Sequence, residues 1–142
     1  MAVKFDFNLE ATTQNRVMMI EPVSLSGVEM PLQRYNLNAF TKGWFVGNFT
    51  PTLISTDAVE VAVKHYKAGE SEAAHFHKVA TELTLIVSGR VRMSGEEVGP
   101  GEIIKMEPGQ ATDFVPLTDV TTVVVKVPCV RGDKYLCSNA QP

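Results

Sequence analysis

The 142-residue chain has no long hydrophobic run: towards the N-terminus the longest nearly apolar stretch is Val17 to Ile20, too short for a membrane span or for the core of a secretory signal. A cytoplasmic protein with no membrane partner is expected. There is no basic excess either, since 13 lysines and arginines stand against 16 acidic residues for a net charge of −3. Duplex binding needs clustered cations that replace released counterions, so no nucleic-acid partner is expected. Cysteine is scarce: Cys129 and Cys137 are the only two, at a spacing that fits neither CxxC redox chemistry nor a zinc knuckle. Two free thiols are expected in a reducing compartment, and a bridge between them only in an exported protein. Helical patterning is missing as well, because no segment of ten or more residues carries an apolar repeat of 3.6.

What is present is short, alternating and β-prone. Val3 to Glu10 places apolar side chains at every second position, as a half-buried strand does. From Ala11 to Lys42 the pattern weakens around Pro22, Gly27 and Pro31, which predicts irregular structure with one or two short strands. Trp44 to Phe49 concentrates aromatic bulk before Pro51 and reads as a strand ending in a turn, its rings in a core or subunit interface. Val59 to Lys67 alternates with Val59, Val61, Val63 and His65 on one face. Leu83 to Val87 and Arg90 to Met93, joined by Ser88-Gly89, read as a hairpin, and Thr121 to Val127 as a β-branched strand. Gly and Pro turns separate these runs, so the expected class is all-β, a sandwich or barrel with one core. Ser138 to Pro142 reads as a disordered tail.

The segment that carries chemistry is Gly69-Glu-Ser-Glu-Ala-Ala-His75-Phe-His77-Lys-Val-Ala-Thr-Glu82. Residues two apart in a strand point the same way, so His75 and His77 present two imidazoles to one side of the sheet. After a short connection the chain returns with Glu82, whose carboxylate can then lie beside the rings. The chain has three histidines in all, and two fall in this one HxH. Two imidazoles and a carboxylate from adjacent strands form a divalent-metal clamp.

The spacing Gly69, five residues, His75-x-His77, four residues, Glu82, six residues, Gly89 resembles the first motif of the cupin superfamily. That resemblance implies a double-stranded β-helix, or jelly-roll barrel, extending from about Gly43 through Val127. Residues 1–42 then form an N-terminal arm, 43–137 the barrel and 138–142 the tail. It also implies that His75, His77 and Glu82 hold the metal. The second cupin motif normally supplies a third histidine, but no histidine follows His77. Counted from Gly101 the position falls on Thr112, and counted from Pro108 on Asp113; a slip of one residue in a strand reverses the face. Asp113 is expected as the fourth ligand, since a carboxylate can replace imidazole on such an ion. Without it the set resembles a facial triad, which suits iron, manganese, zinc or nickel.

The function implied is that of a small metal-dependent enzyme acting on a sugar, sugar acid or keto acid, with the metal as Lewis acid. Cupins include isomerases, epimerases, lyases and dioxygenases, so the resemblance does not choose a reaction. A non-catalytic metal- or ligand-binding module is the alternative, and a metal-free sugar-binding barrel a third. Glu72, His65 and Tyr66 are the available general-base candidates. His65 is expected to be a partly buried, hydrogen-bonded histidine, Glu70 and Glu72 to be solvated, and Phe76 to point away from the two histidines. Arg90 and Arg92 are expected on a solvated face. The apolar edge of the N-terminal strand, together with the resemblance, suggests a homodimer.

Overall fold

The computed structural model describes residues 30–138. The strand expected at residues 3–10, the burst at 17–20 and nearly all of the tail lie outside them. Residues 30–42 contain no strand; they form two 3-10 turns, Leu37–Ala39 and Thr41–Gly43, the first capped by the Asn36 side chain accepting from the Asn38 N–H at 2.9 Å.

Ten strands follow: β1 (Trp44–Val46), β2 (Glu60–Tyr66), β3 (Glu72–Phe76), β4 (Thr81–Ser88), β5 (Val91–Met93), β6 (Glu96–Val98), β7 (Ile103–Met106), β8 (Thr112–Pro116), β9 (Val120–Val127) and β10 (Tyr135–Leu136). They form two antiparallel sheets, ordered β1-β2-β9-β4-β7 and β10-β3-β8-β5-β6. From β2 to β10 the chain steps between the two sheets at every connection except β5 to β6, so it winds as a double-stranded β-helix. The expected jelly-roll barrel is the observed fold.

One local expectation is overturned. β4 and β5 are not a hairpin: β4 pairs with β7 and β9, and β5 with β6 and β8. The chain at Gly89 changes sheet instead of reversing within one. Gly89 has φ +83°, and a Cβ there would lie 2.0 Å from the Asp119 carbonyl oxygen, so only glycine permits this crossing.

The faces of the first sheet are also distributed unlike the sequence suggests. On β2 the inward residues are Glu60, Ala62, Lys64 and Tyr66, while Val61, Val63 and His65 face outward. His65 is exposed, not partly buried, although its Nδ1 does sit 2.9 Å from Thr121 Oγ1. The outer face continues across β9 and β4, where Val61 lies opposite Val125 and Leu83, and Val63 opposite Val123 and Leu85. Inside, Ile86, Val91, Met93, Val98, Phe114 and Val120 form an aliphatic core at one end of the barrel, with Tyr66 and Ile104 packed against it. The other end of the interior is polar. Arg92 is exposed while Val91 and Met93 point inward, as expected.

Both cysteines are free thiols. Cys129 is buried and donates to Glu60 Oε1 at 3.2 Å while its sulfur accepts the Asn48 N–H. Burial, with Glu60 beside it, pushes this thiol up and favours the protonated form over the thiolate. No helix of the described residues is long and apolar enough to cross a membrane.

Candidate metal centre

His75 lies near the end of β3, His77 just beyond it, and Glu82 is the second residue of β4. The HxH alternation turns both rings inward and Phe76 outward, where Phe76 stacks on Tyr135 with centroids 5.4 Å apart. The Lys78-Val79-Ala80-Thr81 connection then carries the chain to the other sheet, and Glu82, Thr84 and Ile86 share the inward face of β4. The two rings sit 5.5 Å apart at 79°. One potential ligand atom from each of His75, His77 and Glu82 lies within 4.8 Å of the others, and all three residues are buried. Among the described residues no other group of three or more such side chains converges in this way.

The hydrogen bonds around the trio determine what it can hold. His75 Nδ1 faces the Ala73 carbonyl at 3.1 Å, and His77 Nδ1 faces the Asp133 carbonyl. A carbonyl oxygen only accepts, so both Nδ1 atoms carry the hydrogen and each Nε2 turns into the barrel as the ligand atom. His77 Nε2 lies 2.9 Å from Glu82 Oε2, and Thr84 Oγ1 donates to Glu82 Oε1 at 3.1 Å. A lone pair on Nε2 and a carboxylate at that distance repel unless a cation lies between them. The hydrogen bond to Glu82 accordingly raises the His77 pKa against the effect of burial. Burial pushes Glu82 up, but the His77 hydrogen bond and Lys126 outweigh it and hold the carboxyl below its usual range. Burial pushes His75 down, which favours the neutral ring a metal requires. Two buried imidazoles with fixed tautomers and one ionised carboxylate fit a divalent transition ion.

Asp113 is not brought to this group. Thr112 is the residue opposite His75 in the β3–β8 register, and it is buried on the inward face. Asp113 therefore faces the other way, and its Oδ1 accepts the Ser94 N–H at 2.8 Å. The observed register agrees with the count from Gly101, which put Thr112 at the inward position. Thr112 Oγ1 is engaged locally with Ser94 Oγ and the Asp113 carbonyl, at 2.9 and 2.8 Å.

The trio opens onto a cavity of about 220 Å³. Its walls include two of the general-base candidates, Tyr66 and Glu72, and residues not expected there. Trp44 from β1 and Lys64 and Tyr66 from β2 line it, as do Thr122 and Lys126 from β9. Glu72 also lines it, because the β3–β8 register shifts between Glu72 and His75, so a bulge turns two residues three apart to the same side. Glu72 Oε1 accepts from Tyr66 Oη at 2.7 Å and from Lys64 Nζ at 3.0 Å, and Oε2 from Lys134 Nζ at 3.2 Å.

Those contacts decide the general-base candidates. Burial pushes Glu72 up, but Lys64, Tyr66 and Lys134 outweigh it and hold its pKa at about 2, too low to take a proton efficiently near neutrality. Burial and Glu72 raise Tyr66, so its hydroxyl keeps its proton and acts as a hydrogen-bond donor, not as an acid or a base. His65 lies on the outer face. The low Glu72 value also has a stability consequence. A carboxyl depressed in the folded state contributes above its unfolded value of about 4.5, and the contribution is lost as pH falls from there to about 2. Glu72→Gln is expected to cost on the order of 2 kcal/mol at pH 7 and almost nothing at pH 2. Urea denaturation across that range checks it, and a difference that does not shrink with acid would contradict it.

No family model matches the sequence. No curated protein matches it either. Solved structures do share its fold. A protein from Klebsiella pneumoniae described as uncharacterized and conserved with a double-stranded β-helix domain matches with TM-score 0.59 at 18% identity, over 79% of this chain and 100% of that one. The DMSP lyase DddQ of Ruegeria pomeroyi matches with TM-score 0.58 at 17% identity over 70% of this chain, which spans about half, 52%, of the lyase. The class defined by the winding and the inward trio is thus the double-stranded β-helix. A sugar phosphate isomerase from a cupin superfamily, from Silicibacter pomeroyi, is similar with TM-score 0.50 at 18% identity over 57% of each chain, so this chain shares the cupin fold.

Proposed function

We propose that the protein is a divalent-metal-dependent enzyme acting on a small oxygen-rich molecule, a sugar, sugar acid or keto acid. The observation that carries this is the pair of buried imidazoles whose Nδ1 atoms are anchored on backbone carbonyls, leaving two Nε2 atoms and the Glu82 carboxylate within 4.8 Å at the cavity. His75, His77 and Glu82 would hold iron, manganese, zinc or nickel. When bound, such an ion supplies Lewis-acid polarisation of a hydroxyl or carbonyl. The chain's own residues fix the rings. Tyr66, on the cavity wall, keeps its proton and holds Glu72 in place by its hydrogen bond. The similar structures include a lyase and an isomerase by name, which fits a fold that accommodates several reactions.

Protein purified without a chelating tag is expected to carry about one metal ion per chain by elemental analysis and to turn over a member of a sugar and organic-acid panel, with a chelator abolishing turnover. Absence of stoichiometric metal would overturn the reading. A second reading, a non-catalytic binding module, is favoured by one observation, the lack of a competent general base among Glu72, Tyr66 and His65. Metal-dependent binding without turnover of any panel member would select it.

A cytoplasmic homodimer belongs to the same proposal. The outer face of the first sheet is aliphatic, with Leu83, Val87, Ile103 and Val127 between 36% and 60% exposed. Its one charged strand residue opposite Leu83, Lys105, is paired with Glu107, and the aliphatic remainder is complementary to itself, as a two-fold interface requires. Light scattering is expected to give twice the monomer mass, and Leu83→Glu with Val87→Glu to halve it; a monomeric parent protein would reject the dimer.

A further inference from the structure

The chain is negative overall, at −3, but its cavity is positive. Lys42, Lys64, Lys126 and Lys134 line it against the carboxylates Glu72 and Glu82. Counting Glu60, which pairs with Lys126 at 3.3 Å, four ammonium groups face three carboxylates. One positive charge is in surplus before any metal adds its own.

The surplus has a location. Lys64 and Lys134 share the single carboxylate of Glu72, to which Tyr66 also donates. Lys64 and Lys126 stand 5.9 and 4.7 Å from the centroid of the Trp44 ring. The side chains of Lys64 and Lys126 are each only 17% exposed, so their charge is held in the barrel and not out in solvent. Removing an ammonium from water is costly, and two on one carboxylate are under-compensated. Thr122 is also among the residues around the cavity, and its hydroxyl is fully buried with no hydrogen-bond partner among the described residues.

We infer that this wall is an anion subsite: Lys64, Lys134 and Lys126, set around Glu72 and Trp44, bind the carboxylate of a small organic acid whose remaining oxygens face His75, His77 and Glu82. The second half of that statement rests on the metal reading; the first does not. A surplus of one charge suits a monocarboxylate better than a phosphate dianion. The volume of about 220 Å³ suits a small metabolite, below the range of about 300–1,000 Å³ typical of drug-sized sites. Within the substrates proposed above, sugar acids and keto acids are selected over neutral sugars.

Trp44 is the chain's only tryptophan, so its fluorescence reports on this wall directly. The full chain, stripped of metal with EDTA and separately loaded with Mn²⁺, is titrated with gluconate and lactate, with their neutral counterparts glucose and lactamide, and with inorganic phosphate. Calorimetry runs alongside. The acids are expected to bind at least about tenfold more tightly than the neutral partners in both forms, and more weakly as salt rises. Lys64→Met and Lys134→Met should each raise the acid Kd about tenfold, and Lys134→Arg should restore it. The Lys134 side chain is 47% exposed, so that variant folds even where Lys64→Met leaves Glu72 short of a partner. Equal binding of acid and neutral partner, or an unchanged Kd in Lys134→Met, would overturn the subsite. Phosphate binding tenfold tighter than either acid would overturn the carboxylate assignment. Metal content is measured on the same samples. Discrimination without metal binding removes the metal reading and keeps this one, and metal binding without discrimination does the reverse.

Discussion

Replacing His75 by alanine is expected to cut bound metal from about one ion per chain to below about a tenth of that, with the fold intact. Outer partners of a ligand alone are worth about 10–100-fold in affinity, so deleting one of three protein ligands exceeds that range. His75 is the better probe of the two histidines because its Nε2 is free of the ion pair: His77, not His75, is hydrogen-bonded to Glu82. His77→Ala should lose metal equally but also strand a buried carboxylate, with Lys126 and the Thr84 hydroxyl left to stabilise it. Breaking one side of a buried pair costs roughly 3–5 kcal/mol. The two variants therefore separate by stability while agreeing in metal content. His65→Ala, on the outer face, is the control and should change neither. Elemental analysis and urea denaturation measure both quantities. Retention of stoichiometric metal in His75→Ala would remove the trio as a metal site.

The trio was legible because its information is local. Gly69 stands in the turn before β3, and the HxH and Glu82 lie within two successive strands and their short connection, where period-two alternation fixes direction on each strand. The walls of the cavity were not legible for two reasons. The first is that the sheet is inverted with respect to ordinary patterning: on β2 the valines face out and Glu60, Lys64 and Tyr66 face in. An alternating strand announces two faces but not which is interior, and the apolar one is the usual choice. A signal was present in Trp44, Lys64 and Lys126, three residues of cavity chemistry on strands otherwise rich in valine. The second reason is register. Thr112 and Asp113 differ by one residue, and only the pairing of Thr112 with His75 decides which faces inward. Glu72 was read as solvated because it stands in what looks like the loop entering the motif; it is instead the first residue of β3, and the register shift before His75 turns it inward. The Ser88-Gly89 turn likewise contains hairpin residues but changes sheets, a choice made by strands distant in sequence.

Asp133 went unread altogether, and its replacement should have the second large effect. Its carboxylate accepts from three successive backbone N–H groups of the loop between His77 and Glu82: Lys78 at 2.9 Å, Val79 at 3.1 Å and Ala80 at 2.8 Å. Its own carbonyl receives His77 Nδ1. One residue thus fixes the connection between two ligands and the tautomer of one of them. The segment that brings it there is tied to β3. Tyr135 and Leu136 pair with Phe76 and His75, the Cys137 N–H donates to the Ala74 carbonyl at 2.9 Å, and Lys78 Nζ lies 4.2 Å from the Tyr135 ring centroid. Asp133→Ala deletes three charge-assisted hydrogen bonds and leaves buried or half-buried N–H groups without acceptors. At about 1–3 kcal/mol for each unpartnered donor, a loss of about 3 kcal/mol or more is expected. Asp133→Asn keeps one acceptor oxygen and should lose about half as much. Metal affinity, measured by competition with a chromophoric chelator, is expected to fall about 10–100-fold in Asp133→Ala under conditions where the variant is still folded. If stability falls while metal affinity stays within twofold, Asp133 holds the loop but does not orient His77. If neither changes, the three backbone contacts do not determine the geometry of the site.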